Sequence, residues 1–306
     1  MKKLSTTTGL YRENGHCGTL RNPSLVFETL HEVGYRCLDL GFCEQTRPDF
    51  ILAGSDWEKK IDVLGECAAR LGIEIYQTHI PFYPGCSKAK FEDLWNDEFE
   101  EFVRRAYVAS VKLGASWAVV HPITDMAANA ECQASLDLCH KKYDVFIEMG
   151  LKGGVGTCYE NMLPCMDLTA TYRYCQRYEE LIDLVDSYHD ARVGICWDTG
   201  HANQNGILDQ GRAIRMIGTR LHTLHINDNH FGNKRDEHLV PWMGDIKWAD
   251  VIGALVDVGY DGTLNYETGK MAMEAYDEIQ LNLVRLTYEN GLYFVKQYEK
   301  ALQVRR

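Results

Sequence analysis

One phrase recurs along the chain and limits the folds open to it. Val33-Gly34-Tyr35 stands before RCLDLGF, Leu71-Gly72-Ile73 before EIYQTHI, Leu113-Gly114-Ala115 before SWAVVHP, and Val258-Gly259-Tyr260 before DGTLNYE. Each glycine ends a charged, amphipathic stretch, and a short apolar run follows at once. Glycine just past a helix adopts the left-handed conformation that closes the last turn without a steric penalty. The phrase therefore spells a helix joined to a strand by a very short connection. Met149-Gly150 before KGGVGTCYE is a looser copy.

Apolar residues at i, i+3 and i+4 place helices at 57–71, 91–113, 135–149, 174–188 and 248–258, with Asp56 as N-cap of the first. Strands are expected at 4–9, 37–40, 74–79, 118–121, 155–159, 193–197, 222–226 and 263–266. Alternating strands and helices make a parallel sheet. Eight such units in 306 residues favour closure into an α/β fold of the (β/α)8 TIM barrel type over an open doubly wound sheet. No Ser/Pro-rich linker or low-complexity tract interrupts the chain, so a single domain is expected over 1–306. Segments 42–55, 81–90 and 227–247 all begin where a strand ends. Long loops thus crowd the C-terminal rim, where barrel active sites lie. From Met271 onward the chain reads as helix, with Ile279, Leu283 and Leu286 on one face and Leu292, Val295 and Leu302 further on, packed on the barrel wall.

The formal charge of −12 sets the chain against phosphate backbones and anionic membranes, so neither nucleic acid nor membrane is an expected partner. The lysines of MKKLSTTTGLYRENG have no apolar run behind them, as a signal peptide needs, and no apolar stretch approaches the ~20 residues of a membrane span. The eleven cysteines are odd in number and form no CxxC; Cys37, Cys158 and Cys196 lie inside apolar runs. Buried free thiols in a reducing cytoplasm are expected.

The polar residues that end these strands carry the chemistry. They are His79 (YQTHIPF), His121 (AVVHP), Glu160 (TCYENM), Asp198 and His201 (CWDTGH), His225 (LHIND), and Glu267 (NYET). Asp236 and His238 (DEH) follow in the loop behind His225. A buried acid is costly unless paired or bound to metal. One such acid has a plain explanation, a helix N-cap or an ion pair. Successive strand ends delivering Glu, Asp, His and Glu point instead to a divalent metal on the rim. His79 and His121 read either as ligands or as hydrogen-bonded rim histidines; His201 can face a substrate, and Asp236 and His238 can bind each other. Trp242 and Phe82 fit the walls of a sugar-sized pocket or scaffold packing. The remaining histidines have no partner pattern, and Gly153-Gly154 is not a phosphate loop, since neither GxxxxGK[ST] nor GxGxxG is present.

On CWDTGH, LHINDN, the D-x-H followed by W-x-G-D-I-x-W, and GYDG…YET, the chain resembles the xylose isomerase-like barrel superfamily over almost its whole length. That group holds sugar isomerases and epimerases and the type IV apurinic endonucleases. The resemblance implies one divalent metal held by Glu160, Asp198, His225 and Glu267, with Mn²⁺ foremost and Mg²⁺, Co²⁺ or Zn²⁺ as other candidates. It implies a keto-sugar substrate whose α-proton is taken by one of Glu160 and Glu267 and returned by the other through an enediolate. His201, His79, His121, Asp236, His238 and Trp242 would surround the sugar, and a homo-oligomer is compatible with the family. The endonucleases' three-zinc set also has counterparts, in those four ligands plus His79, His121, His201, Asp236 and His238. Two departures stand out. The epimerases' substrate arginine has no match, Arg235 being out of register, and the endonucleases' basic DNA-binding loops are missing. A keto-sugar lyase or C-glycoside-cleaving subunit, needing a partner chain, is a further reading, and a sugar-binding barrel without activity is the non-enzyme one. No Lys/Arg cluster marks a phosphate pocket, so an unphosphorylated sugar is expected.

Overall fold

The computed structural model describes residues 2–11, 22–43, 50–82, 95–125, 131–164, 172–233, 235–273 and 275–305. In chain order these form β1 (Leu4–Thr7), α1 (Pro23–Val33), β2 (Cys37–Gly41), α2 (Trp57–Leu71), β3 (Glu74–His79), α3 (Asp97–Lys112), β4 (Trp117–Val120), α4 (Cys132–Lys152) and β5 (Gly156–Glu160). Then come α5 (Tyr178–Asp186), β6 (Val193–Asp198), α6 (Thr199–Gln204), α7 (Gln210–Ile217), β7 (Leu221–His225), α8 (Trp248–Asp257), β8 (Leu264–Tyr266), α9 (Lys270–Met273) and α10 (Asp277–Val304).

The eight strands are parallel neighbours in the order β7-β6-β5-β4-β3-β2-β1-β8. Ile226 closes the seam between β7 and β8: its N–H donates to Asn265 O at 2.7 Å, and its carbonyl accepts from Glu267 N at 3.0 Å. The sheet is thus a (β/α)8 barrel, as the recurring glycine phrase requires. Strand residues alternate faces. Ile195, Trp197 and Leu224 are wholly buried in the main core, each such side chain contributing roughly 1.5–3 kcal/mol by leaving water. Val119, Cys158 and Cys196 form a separate cluster with Trp117. Two residues further along their strands stand His121, Glu160 and Asp198, so this cluster is the floor beneath the rim.

The helices depart from expectation where local chemistry overrides periodicity. Asp56 is the N-cap of α2 but makes no capping hydrogen bond; its carboxylate pairs with Lys60 at 2.9 Å. Helix α3 starts at Asp97, capped by Asn96, whose side chain accepts from Phe99 N at 2.9 Å; residues 91–94 lie outside the described residues. Helix α4 runs past Gly150, which is packed so tightly that an added Cβ would lie 3.1 Å from the Tyr107 ring; Gly154 (φ 87°) supplies the left-handed residue instead. Helix α5 begins at Tyr178 rather than 174, because Cys175 adopts φ 65° and donates its N–H to the Glu180 carboxylate at 3.1 Å.

The last helix packs on the barrel wall with Val295 buried, as expected, but the rest of the expected face is corrected. Ile279, Leu286 and Leu292 are exposed, and the buried stripe is Gln280, Val284, Thr287, Gly291, Phe294, Val295 and Tyr298. It follows helical spacing, but polar residues and a glycine interrupt it, so a count of apolar residues misplaces it. Gly291 is required because a Cβ there would lie 2.6 Å from Leu4. Of the cysteines described, six are buried free thiols, Cys43 is half-buried and Cys132 is exposed.

Gly34 ends α1 at φ 134°, and a Cβ there would meet the Tyr288 ring at 2.3 Å. Gly34→Ala should therefore destabilise the fold by about 2 kcal/mol or more, through strain and overpacking. Urea denaturation checks this, and an unchanged midpoint would contradict the close approach of α10.

Candidate metal centre

Four side chains converge where β5, β6, β7 and β8 end. Glu160 is the last residue of β5, Asp198 of β6 and His225 of β7, and Glu267 follows β8. One ligand atom from each lies within 4.8 Å of the others. Asp198 and His225 are register partners across β6 and β7. The first three are buried, and the Glu267 side chain keeps 23% exposure toward the rim.

Local structure holds each in place. Asp198 is the N-cap of α6, its Oδ1 accepting from His201 N at 2.6 Å, while Oδ2 accepts from Asn227 Nδ2 at 2.8 Å. Asn161 brackets the backbone of Asp198, accepting from its N–H at 2.7 Å and donating to its carbonyl at 2.9 Å. Gly200 in CWDTGH allows this close assembly: a Cβ there would lie 1.8 Å from Asn227 Oδ1.

Around the four stands a ring of imidazoles. His225 Nδ1 lies 2.9 Å from Glu160 Oε1. His79 Nε2 and His121 Nε2 lie 3.1 and 3.0 Å from Glu160 Oε2. His79 Nδ1 is taken by the Ile80 carbonyl at 3.0 Å, and His201 Nδ1 by the Asn161 carbonyl at 2.8 Å. His238, held at φ 50°, places Nδ1 2.6 Å from Glu267 O and Nε2 2.7 Å from Asp236 Oδ2. Lys270 also contacts Asp236 Oδ2. His79, His121 and Glu160 form one further group with converging ligand atoms, and His201, Asp236 and His238 another.

The electrostatics follow from this crowding. Burial opposes the charge on Glu160, but His225 and His121 outweigh it and hold its carboxyl well below the usual range. Glu267 is lowered too, His225 and His238 prevailing over burial. Asp198 goes the other way: burial, joined by Glu160 and Glu267, pushes it up to about 7 against the pull of His201 and His238. Burial resists protonation of His201, yet Asp198 and Asp236 raise it to about 10. Burial dominates at His121 and pushes it down to about 4, despite Glu160.

The donor set fits a divalent cation. Three carboxylates and an imidazole share one point, and Asp198 is ill at ease there without positive charge. The three carboxylate ligands suit Mn²⁺ or Mg²⁺ as well as Zn²⁺.

Of the other expected residues, His79, His121, His201, Asp236 and His238 are all drawn into this assembly. Trp242 is partly exposed and packs its ring on Trp248, Tyr293 and Phe294, with centroids 6.0, 5.0 and 5.7 Å away, so its described ring contacts are scaffold contacts. Phe82 is the aromatic residue that meets the site, its ring 5.3 Å from that of His121. Asn161, Asn227 and Lys270 were not foreseen. Each follows a ligand by one to three residues, in YEN, HIN and ETGK, and that adjacency was the available signal.

The chain belongs to the xylose isomerase-like TIM barrel family, whose model matches residues 27–284. An uncharacterized protein of Methanocaldococcus jannaschii is 27% identical over 212 residues, covering 68% of this chain and 69% of that protein. A D-psicose 3-epimerase of Enterocloster bolteae is 37% identical over 86 residues, 28% of this chain and 25% of the epimerase. Among solved structures, the IOLI protein with a zinc atom superposes with a TM-score of 0.72 at 18% identity, covering 97% of this chain and 99% of that one. Among the described residues no helix is long and apolar enough to cross a membrane.

The shifts set a pH signature. Asp198 keeps its proton to about 7 in the fold against 3.8 as a free group, and His201 to about 10 against 6.5. Both contribute stability that is present at low pH and lost as pH rises through those windows. A bound cation takes over the protons' role. The rise in Tm on adding Mn²⁺ should therefore grow as pH rises from about 4 to about 10. Scanning fluorimetry reads this, and a shift independent of pH would count against a metal here.

Proposed function

We propose that the chain is a metal-dependent sugar isomerase or epimerase that moves a proton at the carbon next to a keto-sugar carbonyl. The observation that carries this reading is the convergence of Glu160, Asp198, His225 and Glu267 on one point. The partial likeness to a D-psicose 3-epimerase supports the substrate class, and the zinc atom of the IOLI structure supports a divalent ion in such a barrel. Mn²⁺ is the ion we favour. Held by these four residues, it supplies Lewis acidity at the carbonyl and neighbouring hydroxyl of an open-chain sugar.

The protein's own groups do the proton transfer. Glu160 and Glu267 stand at the two ends of the β5–β8 arc, with Asp198 and His225 between them. They therefore reach a bound sugar from different sides. Both carboxyls lie below their ordinary range, so each is a base at neutral pH. One takes the α-proton, and the other, once it has drawn a proton from solvent, delivers it to the opposite face of the carbon. His201 and the Asp236–His238 pair offer hydrogen bonds to sugar hydroxyls, and Phe82 walls the His121 side. Lys270 is paired with Asp236, and the pocket suits a neutral sugar better than a sugar phosphate.

A three-zinc phosphodiesterase acting on abasic DNA is the second reading, favoured by the two further groups of converging ligand atoms. Two features oppose it. The Lys270 ammonium already occupies Asp236, and the charge of −12 repels a nucleic acid.

Two measurements decide. Metal analysis of the purified protein should give one ion per chain; three zincs would support the phosphodiesterase. Glu160→Gln and Glu267→Gln, with metal content checked, should each slow α-carbon exchange of a keto-sugar in deuterated water by about 10²–10⁴-fold. Exchange retained with the metal in place would remove that residue's acid–base role.

A further inference from the structure

The acid that the reaction leaves unused lies beneath the metal centre, inside the barrel. Asp39 is in the middle of β2 and is 1% exposed. The β2–β3 register shifts between Leu38 and Asp39, with Tyr76 as the extra residue on β3, and this brings Gln77 level with Asp39. Its Oδ2 accepts from Gln77 Nε2 at 3.1 Å and from Asn265 Nδ2 at 3.0 Å, and Asn265 Oδ1 in turn accepts from Ser5 Oγ at 2.8 Å. Residues from β1, β2, β3 and β8 thus hold one carboxylate in a fixed place. Gln77, Asn265 and Ser5 are wholly buried.

A buried carboxylate needs positive charge nearby. Among the described residues the one basic side chain within 4.0 Å of Asp39 is His225, whose Nε2 makes no hydrogen bond in the structure but faces Asp39 Oδ2 at 3.4 Å, an ion-pair distance. The other nitrogen of that ring, Nδ1, faces Glu160 Oε1 at 2.9 Å and Glu267 Oε2 at 3.4 Å. The imidazole therefore bridges an interior carboxylate and the ligand cluster. A ring nitrogen can bind a metal only if it carries no proton, so the proton must sit on the far nitrogen. A carboxylate facing that far nitrogen favours this arrangement through its charge. Cys196 lies beside the ring as well, but a thiol is a weak donor and a weak acceptor and selects neither tautomer.

We propose that Asp39 is the positioning residue for His225: from within the barrel its carboxylate keeps the proton on Nε2 and leaves Nδ1 free for the metal. The inference rests on the metal-site reading above. It extends that site one layer downward, from the rim into the interior polar network of Ser5, Gln77 and Asn265.

Asp39→Asn tests it. The amide nearly matches the carboxylate in shape, and an amide oxygen kept at the Oδ2 place can still accept from Gln77 and Asn265, but it carries no negative charge to hold a proton on the Nε2 it faces. Mn²⁺ titration followed by electron paramagnetic resonance should show affinity weakened about 10–100-fold relative to wild type. Equal affinity in the two proteins, with only the Tm lowered, would reduce Asp39 to a structural role and overturn the proposal while leaving the metal site standing. No Mn²⁺ binding by the wild-type protein would instead remove the site itself, and this inference with it. Should the variant fail to fold, ¹⁵N NMR of histidine-labelled wild-type protein loaded with Zn²⁺ tests the premise that Nδ1 takes the metal and Nε2, facing Asp39, keeps the proton. His225 Nε2 should show the shift of a protonated nitrogen, and an unprotonated Nε2 would overturn the assignment.

Discussion

Glu160, Asp198 and Glu267 bring three carboxylates to one point at the barrel mouth, and the rest of the structure answers that crowding. Like charges this close cannot all ionise without compensation. Part of the answer is built in. Glu160 is flanked by three imidazoles, His79, His121 and His225, and Glu267 is lowered by His225, His238 and His79, two of which it shares with Glu160. Asp198 is the residue left over, pushed up to about 7 by burial and its acidic neighbours. The site is thus short of positive charge, and a divalent ion bound there would supply what the histidines do not.

The same reasoning separates ligand from scaffold. Asp228 is another buried acid just past β7, and its pKa is raised by burial. Yet its oxygens accept from Trp248 Nε1 at 2.8 Å and from the backbone N–H groups of Asn229 and Ile246 at 2.9 and 3.2 Å. That acid ties a loop down and shares no point with another carboxylate. Position after a strand therefore does not mark a ligand; convergence does.

Much of this was legible in the sequence. The glycine phrase fixed the helix–strand connections because a left-handed residue has few alternatives there, and Gly72, Gly114 and Gly259 all adopt positive φ, from 64° to 67°. The strand-end polar residues were legible because each interrupts an apolar run. Other features were hidden for physical reasons. The buried face of α10 contains Gln280, Thr287 and Gly291, so hydrophobicity pointed to the wrong stripe. Tyr178, not 174, starts α5 because a left-handed Cys175 precedes it, and nothing in a cysteine's chemistry announces φ 65°. Asp39 was visible as an acid inside CLDLG, but the partners that hold it, Gln77, Asn265 and His225, lie on three other strands and meet it only in the closed sheet. Trp242 had the residue type of a sugar wall, while its ring packs on α8 and α10.

The seam at Ile226 ties assembly of the centre to closure of the sheet. That residue grips Asn265 on one side and Glu267 on the other. A slip of β8 by a single position would turn every side chain on that strand to the opposite face and carry Glu267 out of the mouth. Zipping the final strand and delivering the fourth donor are consequently one event. A partly opened barrel would hold three donors at most, and a cation held by all four would act as a rivet across the β7–β8 joint.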